Sequence, residues 1–327
     1  MVLTDRPDVM IGPGLLPPER GVWRPARDLD EPTATLWAHL GGAAAPWRMD
    51  LPVRGAAERF WSRIILIANA PGSQFDLLRD QLASVVRGVG PVACVALDGR
   101  NFHGQRGRPW HAVAGNLHLS VAVPVGLDAP TFAPSLSMLP AVATVEAVVT
   151  ATGGAVRPGI KWVNDIVLPA GKLAGVLTAT QVLGGDIDLV VFGIGLNVSA
   201  APPIVPTPFV PRAVSLQQCP GAGHVTLGAT LWAVLGVLAR RLERLDAPAT
   251  IEIWQDYTRA SIVLGRQVRV WRDGTTETED VSCWPAPLAT GVVTDIGRDL
   301  TLGMGGHLDR IGSGRLALEE ACQMFGL

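Results

Sequence analysis

The sequence predicts an α+β chain, with a mixed or largely antiparallel sheet, helices, and a small all-β unit at the C-terminal end. Three observations predict it. Strand-like and helix-like runs are interleaved without the strict alternation of a parallel βαβ fold. The runs IKWVNDIVL, KLAGVLTATQV and DLVVFGIGLNV are joined by short Gly, Pro or Asp turns, as in a meander. From Gly265 onward come QVRVW, ETEDVSC, ATGVVTDI, LTLGM and GRLAL, short strand-like runs with Gly in several turns, the pattern of a small barrel.

Residues 1–58 carry many Pro, Arg and Trp and little periodicity, so they read as an irregular N-terminal arm with one short helix around Glu31–Leu40. Arg63–Ala68 reads as a strand. FDLLRDQLASVVRG follows it with Leu77, Leu78, Leu82, Val85 and Val86 on one helical face. PVACVAL reads as a buried strand, DGRNFHGQRGRPW as a polar loop, and NLHLSVAVPV as a strand. The apolar stretch Ser135–Thr152 reads as a core helix ended by Gly153 and Gly154. Ala201–Pro211 is a Pro-rich loop. Leu227–Leu245 is a helix with Leu231, Val234, Leu235, Leu238 and Leu242 on one side. These elements divide the chain into an arm (1–58), a main domain (59–262) and an all-β unit (263–327).

Hydrophobic residues make up 48% of the chain and charged ones 17%, enough to bury a substantial core. A net charge of −2 leaves no basic footprint for nucleic acid or a membrane surface. Cys94, Cys219, Cys283 and Cys322 are far apart, which argues against a structural zinc site or a disulfide framework. No basic segment followed by an apolar run opens the chain, and no apolar run reaches the ~18 residues of a membrane span. The chain therefore reads as cytoplasmic.

Among 27 basic residues only Lys161 and Lys172 are lysine, and both fall in GIKWVNDIVLPAGKLAGVL. A lysine pointing into a cleft is a compact point charge for a carboxylate or phosphoryl oxygen. The alternative is a lysine protecting a sheet edge. Strand alternation would put Lys161 and Val163 on one face, Trp162 and Asn164 on the other. HGQRGRPW offers guanidinium groups and exposed backbone to an anion, or is a solvated loop with two arginines. GIGLNV has glycines where a ligand or a neighbouring group comes close. Ser73 in GSQ could cap the next helix. Neither a Walker A loop nor GxGxxG at a strand-to-helix turn is present.

In this order the segments resemble the biotin/lipoate protein ligase family, biotin protein ligases most closely. The family writes its lysine motif KWPND and then KLAGIL; here Lys161-Trp-Val-Asn-Asp precedes Lys172-Leu-Ala-Gly-Val-Leu. FHGQRGRPW is similar to the family's GRGRRGRxW, GNLHLSV to the strand after it, GIGLNV to GxGxNV, and VSL at 214–216 to TSL. The resemblance covers roughly residues 63–318. It implies a class II synthetase-like mixed sheet with helices on one side and a C-terminal SH3-like barrel. It also implies an ATP-dependent activity that makes biotinyl-adenylate with Mg²⁺, releases pyrophosphate, and passes biotin to a lysine of a biotin carboxyl carrier domain.

By the same resemblance Lys161, Arg106 and Arg108 are catalytic. Ser73, Gln74, Gly104, Gln105, Gly107, Trp110, Asn116, Lys172 and Gly175 bind substrate, and Asn164, Asp165 and Asn197 bind nucleotide. No protein-held metal, nucleic acid or membrane partner is implied, and a homodimer is compatible with it. Several positions depart from the family: Phe102, His103 and Gln105 in the loop, Gly99 where a Gln commonly faces biotin, and Gly72 and Gln74 in the Ser-Thr-Asn turn. These changes bear on the acyl pocket, so two alternatives stand beside the main expectation. One is an adenylating ligase for lipoate, octanoate or another acid. The other is a protein of this fold that binds without turnover.

Overall fold

The computed structural model describes residues 1–8, 15, 22–41, 44–52, 55–275 and 284–326. Its elements are β1 (Val2–Thr4), β2 (Arg24–Pro25), α1 (Glu31–Leu40), β3 (Trp47–Met49), α2 (Ala56–Phe60) and β4 (Arg63–Ala70). Then come α3 (Gln74–Asp76), a π-helical turn (Leu77–Gln81), α4 (Ala83–Val89), β5 (Val92–Gly99), β6 (Leu117–Asp128) and α5 (Ala129–Ala151). After β7 (Gly159–Lys161), β8 (Asp165–Leu168), β9 (Gly171–Leu183) and β10 (Asp186–Leu196) follow α6 (Leu227–Glu243) and α7 (Ala247–Ala260). The C-terminal part holds β11 (Gln267–Trp271), β12 (Ala289–Ile296), β13 (Leu302–Met304), β14 (Arg315–Leu318) and α8 (Glu319–Met324).

Ten strands form one mixed sheet in the order β2-β3-β1-β4-β5-β6-β10-β9-β8-β7. Only β1–β4 and β4–β5 pair in parallel. Strand alternation sends β4 residues Ile64 and Leu66 to one face and Ile65 and Ile67 to the other. Helices α5, α6 and α7 cover the first face. On the second, Leu36, Trp37 and Leu40 of α1 pack with Leu78, Leu82 and Val86. Helices on both faces replace the one-sided arrangement that the resemblance implied.

Other expectations also change. The N-terminal segment, read as an irregular arm, adds β1, β2 and β3 to the large sheet; strands of two or three residues carry too little alternation to be seen in sequence. IKWVNDIVL is two strands: β7 and β8 form a hairpin around Trp162, Val163 and Asn164. The expected continuous alternation through Lys161 and Val163 is therefore absent. The core helix starts at Ala129, six residues earlier than expected, with the Asp128 carboxylate capping the Thr131 N–H and Pro130 in its first turn. At 23 residues it is long and apolar enough to cross a membrane, yet 61% of its most apolar window is buried against the rest of the protein. Helices α7 and α8 were not foreseen.

The second sheet is antiparallel, in the order β13-β12-β11-β14. Four of the expected C-terminal strands form it; ETEDVSC lies outside the described residues.

Candidate functional site

One register line across the large sheet organises the site. Lys161 on β7 pairs with Asp165 on β8, and Asp165 with Gly175 on β9. Gly175 pairs with Gly195 on β10, and Gly195 with His118 on β6. Paired residues share a face, so all five side-chain positions point to the side that carries α1 and α4. The order along the line is ammonium, carboxylate, two bare glycines, imidazole.

Trp110 fills the space that the glycines leave. A Cβ at Gly195 would fall inside its indole, and one at Gly175 would sit 3.3 Å from it. The close approach foreseen at GIGLNV is thus made by aromatic rings: Trp110 over Gly195 and Phe75 over Gly193. The indole Nε1–H donates to His118 Nδ1 at 3.3 Å, and the Lys172 ammonium stands 5.7 Å from the ring centroid.

Above this floor lies a cavity of about 580 Å³. Of the expected residues, Ser73, Gln74, Gly104, Gln105, Arg108, Trp110, Asn164, Asp165, Lys172, Gly175 and Asn197 line it. Four do not. Arg106 turns outward to Asp273 of the C-terminal part at 2.7 Å, and Gly107 follows it with a positive φ. Asn116 is buried, its Oδ1 accepting from the backbone N–H groups of Val198, Ser199 and Ala200. Lys161 lies behind the wall, where its ammonium donates to the carbonyl oxygen of Phe209.

The charges are coupled. Lys172 and Asp165 form a 2.6 Å ion pair. Burial alone would raise the Asp165 carboxyl, but the ammonium groups of Lys172 and Lys161 hold it below the usual carboxylate range. Burial pushes Lys161 down to about 8; Asp165 opposes that shift, while Lys172, Arg315 and Arg108 add to it. The cavity therefore has a cationic end.

Two expected ligands are already engaged in the protein. Asn164 donates to the Val176 carbonyl at 2.8 Å and Asn197 to the Val214 carbonyl at 3.0 Å. Ser73 caps α3 by accepting from the Asp76 N–H, while it also lines the cavity. His103 is held at both ring nitrogens: its Nε2 is 2.7 Å from Asp76 and its Nδ1 3.0 Å from the Gly104 carbonyl. That carbonyl and the carboxylate raise its pKa against the opposing effect of burial.

Sequence reasoning missed Phe75, His118 and Arg315 in the wall. His118 had a visible signal, a polar residue at an alternate position of a buried strand. Arg315 had none, because the C-terminal sheet delivers it from 150 residues away, over the ring of Phe209 at 3.8 Å.

Residues 93–197 match the biotin/lipoate A/B protein ligase family. A biotin–[acetyl-CoA-carboxylase] ligase of Mycobacterium tuberculosis is 32% identical over 225 residues, 64% of this chain and 75% of that protein. The corresponding ligase of Paracoccus denitrificans is 39% identical over 100 residues, 30% of this chain and 41% of its own length. The chain thus spans about two fifths of the Paracoccus relative. In fold, it is similar to the Aquifex aeolicus biotin protein ligase solved with biotin and ATP, with a TM-score of 0.57 at 20% identity, covering 78% of this chain and 97% of that one. The motifs, the sheet that aligns them and the extent of the Mycobacterium match lead to one conclusion: the chain belongs to the biotin/lipoate A/B protein ligase family.

Proposed function

We propose that the chain is an ATP-dependent biotin protein ligase. It joins biotin and ATP into biotinyl-5′-AMP with release of pyrophosphate, then transfers biotin to a lysine of a biotin carboxyl carrier domain. The observation that carries this reading is the register line. It places Lys161 and Asp165 at one end of an aromatic floor and His118 at the other, and the Lys172 ammonium joins the first end through its ion pair with Asp165.

In the first step a biotin carboxylate oxygen attacks the α-phosphorus of ATP. The new P–O bond replaces the bond to pyrophosphate, which leaves. Two anions meet here, so the protein's part is to supply positive charge and exclude water. Lys172 and Arg108 line the cavity at that end. Lys161 adds its charge from behind the wall, and reaches the reacting oxygens only by leaving the Phe209 carbonyl. In the second step the carrier amine attacks the acyl carbonyl and AMP leaves.

Asp165 is the one carboxylate lining the cavity among the described residues, and it is paired with Lys172. Among the described residues no three His, Cys, Asp or Glu side chains gather to hold a metal. The wall thus does not fit a protein-held Mg²⁺, and no step is routed through one; in this reading Mg²⁺ arrives as the counter-ion of the nucleotide.

The division into an arm (1–58), a catalytic domain (59–262) and an SH3-like barrel (263–327) is part of the same reading, with β1–β3 tying the arm to the catalytic sheet. So are a cytoplasmic site of action and the absence of nucleic-acid partners. One observation favours a second reading, activation of a different acid. A Cβ at Gly99 would fall inside the ring of Phe102, so that ring takes the space of a side chain at position 99.

Mass spectrometry of the protein incubated with Mg²⁺-ATP and biotin, lipoate or octanoate tests the proposal. Biotinyl-AMP alone is the expected product; an adenylate of another acid only, or none, overturns it.

A further inference from the structure

The hairpin that carries Lys161 is tied at every residue of its loop. The Val163 carbonyl accepts from the Tyr257 hydroxyl at 2.8 Å, and Asn164 donates to the Val176 carbonyl at 2.8 Å. Trp162, 5% exposed, donates its indole N–H to the Leu300 carbonyl at 2.7 Å. The first two partners lie in α7 and β9. The third comes from the turn between β12 and β13, 138 residues along the chain.

A buried indole N–H usually finds an acceptor, so this bond alone would mark a packed core residue. The acceptor sets it apart. Leu300 has a φ of 67°, in the left-handed region that disfavours a bulky side chain and suits Gly or Asn. It is held there by its neighbours. The Leu300 N–H donates to the Gly297 carbonyl at 3.0 Å, the Gly297 N–H to the Thr301 carbonyl at 2.8 Å, and Asp299 accepts from the N–H and hydroxyl of Thr301. Leu300 thus keeps its side chain against the core while its carbonyl meets Trp162.

Lys161 leans on the C-terminal part at both ends. The Trp162–Leu300 bond follows its backbone at once, and its ammonium donates to the carbonyl of Phe209, whose ring packs on Trp271 and Trp284. The charged groups that act on the ammonium are Asp165 of β8, Lys172 of β9, Arg315 of β14 and Arg108 of the arginine-glycine loop; Cys322 of α8 feels its charge in turn. Trp162 carries no charge, so replacing it alters this field only by moving Lys161 or its neighbours.

We propose that Trp162 is a positioning residue: by binding the Leu300 carbonyl it pins the end of β7, so that the C-terminal sheet sets where the Lys161 ammonium stands. The consequence for adenylation rests on the ligase reading; the placement of Lys161 does not. With the end of β7 pinned, the swing of Lys161 towards the reacting oxygens is left to its side chain alone.

The test uses the scarcity of lysine. Full-length protein labelled with ¹³C-lysine gives two ε-carbon signals, from Lys161 and Lys172, and a pH titration by NMR reads both midpoints without any ligand. Native Lys161 should titrate at about 8. In Trp162→Phe, which removes the N–H and keeps a ring, the midpoint should rise by at least about one pH unit as the slot loosens and water reaches the ammonium. Leu300→Pro should move it the same way, because proline holds φ at about −65° and turns the carbonyl away from an intact Trp162. Trp254→Phe is the control. Its indole, on α7, donates to the Ile296 carbonyl at 2.9 Å, so this variant should lose stability yet keep the native Lys161 midpoint.

A native Lys161 that titrates at the ordinary lysine value overturns the assignment. So does a folded Trp162→Phe or Leu300→Pro variant with the native midpoint, or a Trp254→Phe variant that moves it as far. Pyrophosphate exchange reads the consequence: Trp162→Phe should lower it at least about tenfold while biotin affinity stays native. Exchange that survives a moved midpoint overturns the role in adenylation. A native protein without exchange sinks the ligase reading alone and leaves Trp162 in place.

Discussion

Lys161 and Lys172 both act electrostatically on the Asp165 carboxylate, but only Lys172 is ion-paired with it, and their environments differ. Lys172 faces the cavity; Lys161 is 7% exposed beneath the Phe209 carbonyl. An ammonium fits that slot with one short bond, whereas a guanidinium is larger and would overpack it. Lys161→Arg should therefore lower adenylate formation by at least about 100-fold despite the kept charge, as read by pyrophosphate exchange. The sign of the pH effect follows from the lowered pKa. Below about 8 the folded protein carries the cost of a charged, buried Lys161; that cost is relieved as pH rises from about 8 towards the ordinary lysine value. Its ammonium is lost around the folded value, so nucleotide affinity should fall as pH rises through about 8. A Lys161→Met variant should lack that limb of the profile. His103 behaves in the opposite sense: its raised pKa makes the ion pair with Asp76 fully present below the ordinary histidine value and lost as pH rises through the higher folded one.

At the scale of elements, the chemistry depends on hairpins staying in register over bare glycines. Gly195→Ala would drive a methyl into the Trp110 indole, while Gly175→Ala meets the same ring at 3.3 Å. The first should cost about 1–3 kcal/mol in urea unfolding and weaken acid binding at least tenfold; the second should cost less on both measures. The sequence made part of this legible. Lys161, Asp165 and Lys172 stood out because their charges interrupt apolar strands, and α6 because its apolar side repeats over several turns. The hairpin at Trp162–Asn164 was hidden, since Trp and Val read as strand residues wherever they fall. Helix α7 was passed over although Ile253, Trp254 and Tyr257 stand at helical spacing; it buries only Ile253 and Tyr257. Its contribution is nonetheless specific, because the Tyr257 hydroxyl donates to the Val163 carbonyl and holds that turn.

On the scale of the molecule, two of the contacts that join the C-terminal sheet to the site differ in weight. Arg106 and Asp273 form a surface ion pair, with Arg106 59% exposed. Such a pair is worth at most about 1 kcal/mol, so Asp273→Ala should leave the melting temperature nearly unchanged. Phe209 is the stronger joint. Its ring stacks on Trp284 at 5.4 Å and meets Trp271 edge-on at 5.6 Å, while its carbonyl holds Lys161. Phe209→Ala should cost about 3–5 kcal/mol, and should shift the pH dependence of nucleotide affinity as well, because the slot around Lys161 opens. Sequence reasoning found both ends of this joint as separate pieces, a Pro-rich loop and a run of short strands. Their meeting is a long-range contact that no local pattern encodes.

The register line from Lys161 to His118 also bears on how the chain folds. It crosses β7, β8, β9, β10 and β6, and a slip of one residue in any of those pairings turns a member of the line to the opposite face. No partly paired sheet can offer the whole line. During refolding, the first moment at which the protein takes up ligand therefore dates the completion of five strands, and ligand uptake serves as a clock for the slowest pairing among them.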